Sequence, residues 1–155
     1  MKVNIICGGH ALTGYINIAP LAQAEPDKVA ADFGNLDNLI HDSEATEILA
    51  LEVLHYIPFD NLPKVLANWV KKLRINGKIA VAGYDIGDIC KSYTNKACSI
   101  EDLNRLLYGD GTSPLVVTSA LSMAHLKEML DQFGLKVLKQ RKNGYHIAVE
   151  AVREQ

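Results

Sequence analysis

The sequence carries no excess of charge of one sign. Its 155 residues include 16 Lys and Arg and 18 Asp and Glu, so the formal net charge is −2 at neutral pH. The basic residues are scattered along the chain and form no continuous stripe. This distribution excludes the basic surface that a nucleic acid requires, and we expect no nucleic-acid partner.

Long apolar runs and paired cysteines are also missing. No apolar run approaches the roughly 20 residues of a membrane span. The three cysteines, Cys7, Cys90 and Cys98, have neither the paired spacing nor the nearby histidine pair of a zinc site. An odd cysteine count fits a reducing compartment, and the N-terminus enters a strand pattern without a signal segment. We therefore expect a cytoplasmic protein with no metal and no membrane contact.

What remains is an ordinary globular composition, with 48% apolar and 22% charged residues, over a length that suits one domain, residues 1–155. Several short apolar runs are typical of parallel strands covered on both faces. Helical patterns lie between these runs, which predicts an α/β fold with a mostly parallel sheet. The predicted strands are Lys2–Cys7, Tyr15–Ile18, Val29–Ala31, Glu47–Leu51, Lys78–Gly83, Lys136–Gln140 and Tyr145–Val152.

Three helices have clear signals. An apolar stripe at helical spacing predicts a helix over Asp60–Leu73, with Asp60 as its cap. A second helix begins at Ser122, and a shorter one spans Ile100–Tyr108 after the cap Ser99. The 85–119 stretch around the short helix is otherwise irregular, and we expect it to be an insertion that forms a lid over a site.

Two connections are unusually short. The last two strands are separated only by Arg141–Gly144, which predicts a hairpin and an antiparallel last strand. Only Gly8–Gly14 separates the first strand from the second, whereas a parallel return usually needs a dozen or more residues and a helix. Either the first crossover helix is missing or these two strands form a hairpin.

Cys7-Gly8-Gly9 ends the first apolar run. Two glycines let the backbone turn sharply and approach a ligand, and ligands in open α/β folds bind beyond the carboxyl ends of the strands. The segment is therefore a candidate ligand loop, with a plain strand-ending turn as the alternative.

The order of several motifs resembles that of small class I S-adenosylmethionine (SAM)-dependent methyltransferases of the methyltransferase type 11-like group. The matching segments are Val3-Asn4-Ile5-Ile6-Cys7-Gly8, Gly14-Tyr15-Ile16-Asn17-Ile18, Ala31-Asp32-Phe33, Ala50-Leu51-Glu52-Val53-Leu54-His55-Tyr56 and Leu73-Arg74-Ile75-Asn76-Gly77-Lys78. The resemblance covers nearly the whole chain. It implies a Rossmann-like methyltransferase sheet without the first crossover helix.

The resemblance also implies a cofactor site. Cys7, Gly8 and Gly9 would approach the amino acid part of SAM, and Asp32, Leu51 and Glu52 would complete the site, with Asp32 at the adenine. Two residues depart from the family pattern: Ile6 replaces the first glycine of the loop, and Ala19 replaces the acid that normally binds the ribose hydroxyls. Losing that acid removes about 1.5–3 kcal/mol, which is roughly ten- to a hundredfold in affinity.

His55 and Asp85 follow the strands nearest the expected methyl group, and they are the candidate catalytic residues, with plain packing as the alternative for His55. The leading functional hypothesis is methyl transfer to a small molecule, such as a sugar or polar metabolite. The alternative is a methyltransferase-like binding protein that has lost catalysis. A nucleotide- or NAD-binding enzyme ranks third, because the full G-x-G-x-x-G fingerprint is absent.

Overall fold

A computed structural model describes residues 1–21 and 25–155. In this part of the chain, seven strands form one sheet in the order β3-β2-β1-β4-β5-β7-β6. The strands are β1 (Lys2–Ile5), β2 (Ile16–Ala19), β3 (Val29–Ala30), β4 (Ala45–Leu51), β5 (Leu73–Tyr84), β6 (Leu135–Asn143) and β7 (His146–Arg153). The α-helices are α1 (Leu62–Lys72), α2 (Ile86–Thr94), α3 (Ile100–Tyr108) and α4 (Met123–Gln132), and 3-10 turns span Leu54–Tyr56 and Phe59–Asn61.

The strand directions confirm the predicted fold class. The first five strands are parallel, whereas β7 runs antiparallel to both β5 and β6. β1 pairs in parallel with β2, with Val3 opposite Ile16 and Ile5 opposite Ile18, so these strands are not a hairpin. The first crossover helix is therefore absent, as the resemblance implied.

The side-chain amide of Asn17 holds the short crossover in place. Its oxygen accepts hydrogen bonds from the Leu12 backbone N–H and from Asn4 Nδ2, both at 2.9 Å. Its nitrogen donates to the carbonyl oxygens of Leu12 at 3.1 Å and Tyr15 at 3.3 Å. Asn4 and Asn17 are both buried, so each polar group needs such a partner. The amide thus pairs with backbone N–H and C=O groups of the connection, which would pair with each other in a helix.

Only one face of the sheet carries the apolar core. Side chains alternate between faces along a strand, and Ile48, Ala50, Ile79 and Val81 are fully buried on the core face. This face packs against the apolar sides of α1 and α4. The opposite face, here called the open face, carries Asn4, Asn17, Glu47, Leu49, Lys78, Ala80, Ala82, Ala148 and Glu150, none of which belongs to the apolar core.

The prediction that the strands are covered on both faces is therefore wrong. Leu49 and Ala80 are apolar but only partly buried on the open face. Glu47 lies between Lys2 and Lys78 across neighbouring strands, and it pairs with Lys2 at 3.0 Å. Alanines on the open face make the strand sequences look continuously apolar. Such sequences resemble those of strands that are covered on both faces.

Three polar side chains on α1 hold the segment 31–44, which has no strand or helix. The Trp69 indole donates to the Phe33 carbonyl at 2.7 Å, and Asn68 Oδ1 accepts from the Leu36 N–H at 2.9 Å. Lys72 is almost fully buried between two carboxylates, Asp37 at 2.6 Å and Asp42 at 2.8 Å. These contacts fix the irregular chain that follows β3.

Helix boundaries differ from the prediction mainly at α1. The helix begins at Leu62 after a 3-10 turn, and its N-cap is Asn61 rather than Asp60. It ends at Lys72, where the chain passes directly into β5. By contrast, Ser122 caps α4 and Ser99 caps α3 in a capping box with Asp102, as predicted. The 85–119 segment is more regular than expected, because α2 precedes α3 within it.

We predict that Asn17→Ala lowers the free energy of unfolding by about 2–3 kcal/mol, because it leaves several buried polar groups without partners. Urea denaturation followed by circular dichroism measures this change. Asn104→Ala is the matched control, since Asn104 makes one side-chain hydrogen bond on the exposed surface of α3. A loss for Asn17→Ala no larger than that of the control would contradict the assigned role.

Candidate functional site

The carboxyl ends of β1, β4 and β5 are neighbours in the sheet. The segments that follow these strands therefore meet at one edge, here called the carboxyl edge. They bring Cys7, Gly8 and Gly9 from β1, Leu51, Glu52 and His55 from β4, and Tyr84 and Asp85 from β5. Most of the predicted site residues thus share one edge of the sheet.

The glycine loop has the features of a surface that a ligand can approach. Gly8 has a φ of +86°, and no heavy atom lies within 4 Å of the position that a Cβ would occupy. Gly9 is also exposed, but a Cβ there would meet Ile6 Cγ2 at 3.1 Å. Ile6 itself is buried and donates its N–H to the Ile18 carbonyl at 2.8 Å. The branched side chain therefore packs beneath the loop, and space remains at the Cβ position of Gly8.

Cys7 lies half-buried at the base of this loop and packs against the core. Burial raises the pKa of its thiol to about 12. The thiol is therefore protonated at neutral pH and is not a nucleophile.

Asp32 lies beside a groove of about 300 Å³ between the end of β3 and the turn after β4. Phe33, Tyr56, Ile57 and Lys64 are among the other residues that line it. Asp32 Oδ1 accepts from the Gly34 N–H at 2.9 Å in an exposed turn. The groove thus joins a carboxylate after β3 to an aromatic ring after β4, which are distant in sequence.

In the described part of the chain, β2 ends at Ala19 and not at an acidic residue. Ala19 is fully buried, and its carbonyl accepts from the Ala31 N–H at 2.9 Å. Glu25, the nearest acid along the described chain, pairs with Lys28 at 2.8 Å. Ala19 therefore leaves the folded site, like the sequence motif, without the ribose-binding acid of the family pattern.

Glu52 adopts a left-handed backbone conformation, with φ at +57°. This conformation costs an L-residue roughly 1–2 kcal/mol, and such strain often marks functional sites. Its N–H donates to the Ala82 carbonyl at 2.9 Å, which fixes the turn after β4. Glu52 and the preceding Leu51 are both exposed at the carboxyl edge, and the Glu52 carboxylate lies 4.0 Å from His146.

His55 is the most distinctive side chain of the carboxyl edge. Its Nδ1 is buried and has no hydrogen-bond partner in the described part of the chain. Burial lowers the pKa of the imidazole, so the ring is neutral at pH 7. The ring packs against Tyr56, with centroids 4.1 Å apart, and lies 6.2 Å from Tyr84. A neutral imidazole with an unused nitrogen can accept a proton.

A small cavity of about 30 Å³ lies between His55 and the helices α2 and α3. The chain from Val117 to Leu121 forms another wall. The backbone N–H groups of Thr118 and Ser119 donate to the His55 carbonyl, at 2.8 and 3.2 Å. His55 is therefore held by the same segment that closes the cavity.

Asp85, the second candidate catalytic residue, accepts hydrogen bonds from the backbone of two helices. Its Oδ1 accepts from the Asp88 N–H at 3.0 Å and caps α2, while its Oδ2 accepts from the Met123 N–H at 2.8 Å, in the first turn of α4. Burial opposes its ionisation, but these backbone donors outweigh burial and hold the carboxyl pKa below its usual value. Because both oxygens are engaged, this geometry favours a structural carboxylate over a catalytic base.

We predict that Asp85→Ala lowers the free energy of unfolding by about 2–3 kcal/mol, since it removes one helix cap and a second charge-assisted hydrogen bond. Chemical denaturation measures the effect. Asp110→Ala is the control, because Asp110 is exposed and bonds only to nearby Thr112. Unchanged stability in Asp85→Ala would leave acid–base chemistry as the better role.

Sequence reasoning missed Tyr145 and His146 as members of the carboxyl edge. Antiparallel pairing of β5 with β7 sets His146 opposite Tyr84, with ring centroids 4.8 Å apart. Tyr145 stacks on His146 at 5.1 Å. The predicted hairpin could have located them, because an antiparallel last strand begins where its parallel neighbour ends.

Within residues 1–21 and 25–155, no group of three or more His, Cys, Asp or Glu side chains is arranged to hold a metal ion. The helices of this part of the chain are too short or too polar to cross a membrane.

No known family sequence model matches the chain, and no curated protein sequence matches it. Solved structures do match. A SAM-dependent methyltransferase from Methanosarcina mazei aligns with a TM-score of 0.59 and 10% identity over 82% of this chain and 66% of its own. A putative methyltransferase in complex with the Haloferax volcanii Trm112 activator aligns with a TM-score of 0.59 and 12% identity, over 86% of this chain and 64% of its own. Magnesium protoporphyrin IX methyltransferase from Synechocystis, with bound S-adenosylhomocysteine (SAH), aligns with a TM-score of 0.55 and 13% identity, over 83% of this chain and 52% of its own.

The chain has the class I methyltransferase fold. It spans between about half and two thirds of the length of these three structures. The likeness fits the strand order and the antiparallel last strand of the sheet. The low identity fits the degenerate motifs at Ile6 and Ala19.

Proposed function

We propose that the chain binds SAM at the carboxyl edge and transfers its methyl group to a small molecule. The observation that carries this proposal is His55, a neutral histidine whose Nδ1 is buried without a partner in the described chain, at the same sheet edge as the glycine loop. When bound, SAM supplies a methyl group attached to a sulfonium sulfur.

The residues present fit most of SAM. The lack of side chains at Gly8 and Gly9 leaves space for the amino acid part, and the groove at Asp32 has room for a flat base beside Tyr56. Leu51 and Glu52 would complete the site between them. The ribose lacks its acid at Ala19, and no helix N-terminus follows the glycine loop to bind the carboxylate of SAM. We therefore expect weak binding.

His55 is the proposed general base. In its neutral form it would accept the proton of the acceptor atom, and SAM would supply the methyl group. Asp85 acts indirectly, since its two hydrogen bonds join the first turn of α2, which lines the cavity beside His55, to the first turn of α4. We propose that the 85–119 segment is the lid of this acceptor site within one domain, residues 1–155.

We predict that SAM and S-adenosylhomocysteine bind weakly, and that Ala19→Asp tightens binding by about ten- to a hundredfold through the ribose hydroxyls. Isothermal titration calorimetry measures both. Ala19→Asn is the matched control, with similar size but no charge. Because Ala19 is fully buried, the Asp variant should be less stable without ligand and recover on binding. No heat for either ligand at millimolar concentration would favour the non-catalytic alternative.

We predict that His55 titrates below the usual histidine value of about 6.5, because burial disfavours its charged form. The unfolded chain then binds a proton at higher pH than the folded chain, so stability falls as pH decreases below 6.5. Histidine-selective NMR measures the midpoint, and urea unfolding at several pH values measures the slope. His55→Gln should remove this part of the slope. A midpoint at or above 6.5 would count against a buried neutral base.

A further inference from the structure

We propose that the cavity beside His55 binds the hydroxyl-bearing end of an apolar compound, such as a phenol, and not a sugar. The claim that this compound is the methyl acceptor rests on the proposed function. The claim that the cavity binds such a compound does not depend on methyl transfer.

Apolar side chains dominate the walls of the cavity. They come from α2, α3 and the 117–121 segment: Ile86, Ile89, Leu106, Leu107, Val117 and Leu121. The Ser119 hydroxyl, which also lines the cavity, donates to the Leu54 carbonyl at 3.1 Å and is thereby engaged. His55 also lines the cavity, and its Nδ1 is buried with no partner in the described chain.

This combination selects a ligand by its polarity. A buried nitrogen without a partner is unfavourable, and an incoming O–H group can satisfy it with one hydrogen bond. Besides His55, the walls carry the hydroxyl groups of Tyr84 and Ser119, which are too few to pair with the several hydroxyls of a sugar. No carboxylate lines the cavity to pair with an ammonium group. The best match is therefore an apolar body with a single hydroxyl, which differs from the sugar or polar metabolite that the sequence suggested.

Entry of such a compound requires α3 to move. The cavity volume of about 30 Å³ is close to that of a single water molecule in liquid, far below that of an aromatic ring. α3 has no buried residue, although Leu106 and Leu107 cover the cavity. Its capping box closes its N-terminus, so the helix can shift while it stays folded. The structure therefore combines a small cavity with a covering helix that has no buried residue.

The test compares phenol, toluene and glucose by NMR with methyl-labelled leucine, in the absence of SAM. Phenol should give saturable shifts at Leu106 and Leu107 at millimolar concentration, and glucose should give none. Phenol should bind about two- to tenfold more tightly than toluene, which lacks the hydroxyl. His55→Phe should abolish this preference.

Leu106→Phe should fill the cavity and weaken phenol binding at least fivefold. Leu103→Phe is the matched control, because Leu103 lies on the same helix but does not line the cavity. Circular dichroism verifies that both variants keep their helices. If Leu106→Phe unfolds, Val117→Phe fills the opposite wall.

Shifts with glucose equal to those with phenol, or equal effects of Leu106→Phe and Leu103→Phe, would overturn the proposal. So would the absence of saturable binding by phenol. Calorimetry with SAM separates the two assignments. If phenol binds and SAM does not, the cavity assignment holds and the methyltransferase function fails; if SAM binds and phenol does not, the reverse is true.

Discussion

Parallel pairing of β1 with β2 requires the chain to return to the opposite end of the sheet within residues 6–15. β2 is about 13 Å long at the usual rise per residue. Ten residues in a helix would rise only about 15 Å, which leaves almost nothing for the two turns. An extended connection reaches easily, but its backbone groups have no regular partners. Asn17 solves this problem because one amide both accepts from and donates to Leu12 while it also anchors Asn4. The position of the glycine loop at the carboxyl edge depends on this amide.

Polar side chains also hold other parts of the molecule in place. A single layer of helices covers the core face, and the open face uses charged and small side chains. After β3, polar groups on α1 bind an irregular segment, with the buried Lys72 neutralised by two carboxylates. A carboxylate between helices, Asp85, joins α2 to α4. Local polar contacts therefore hold segments that have no helix or strand of their own and join separate helices.

Patterns within one element predicted the fold well. The stripe of α1, the caps Ser99 and Ser122 and the short final hairpin each depend on neighbouring residues, so the sequence alone contains them. Features that depend on the assembled sheet escaped prediction. The engagement of Asp85 with α4 joins residues far apart in the chain, and the unpaired nitrogen of His55 emerges only when the 117–121 segment closes over it. Motif order located the carboxyl edge, but motif order carries no information about the polarity of the cavity beside His55.

The alternation of core and open faces also sets the alignment of the strands. In a sheet covered on both faces, neighbouring residues are similarly apolar, and a slip by one position changes little. Here a one-residue slip of β4 would turn Glu47 toward the core and Ile48 toward solvent, and it would separate Glu47 from Lys2. The exposed ion pairs contribute little stability individually, but they distinguish the correct pairing from its nearest competitors. The charged side chains of the open face therefore help to specify the strand register.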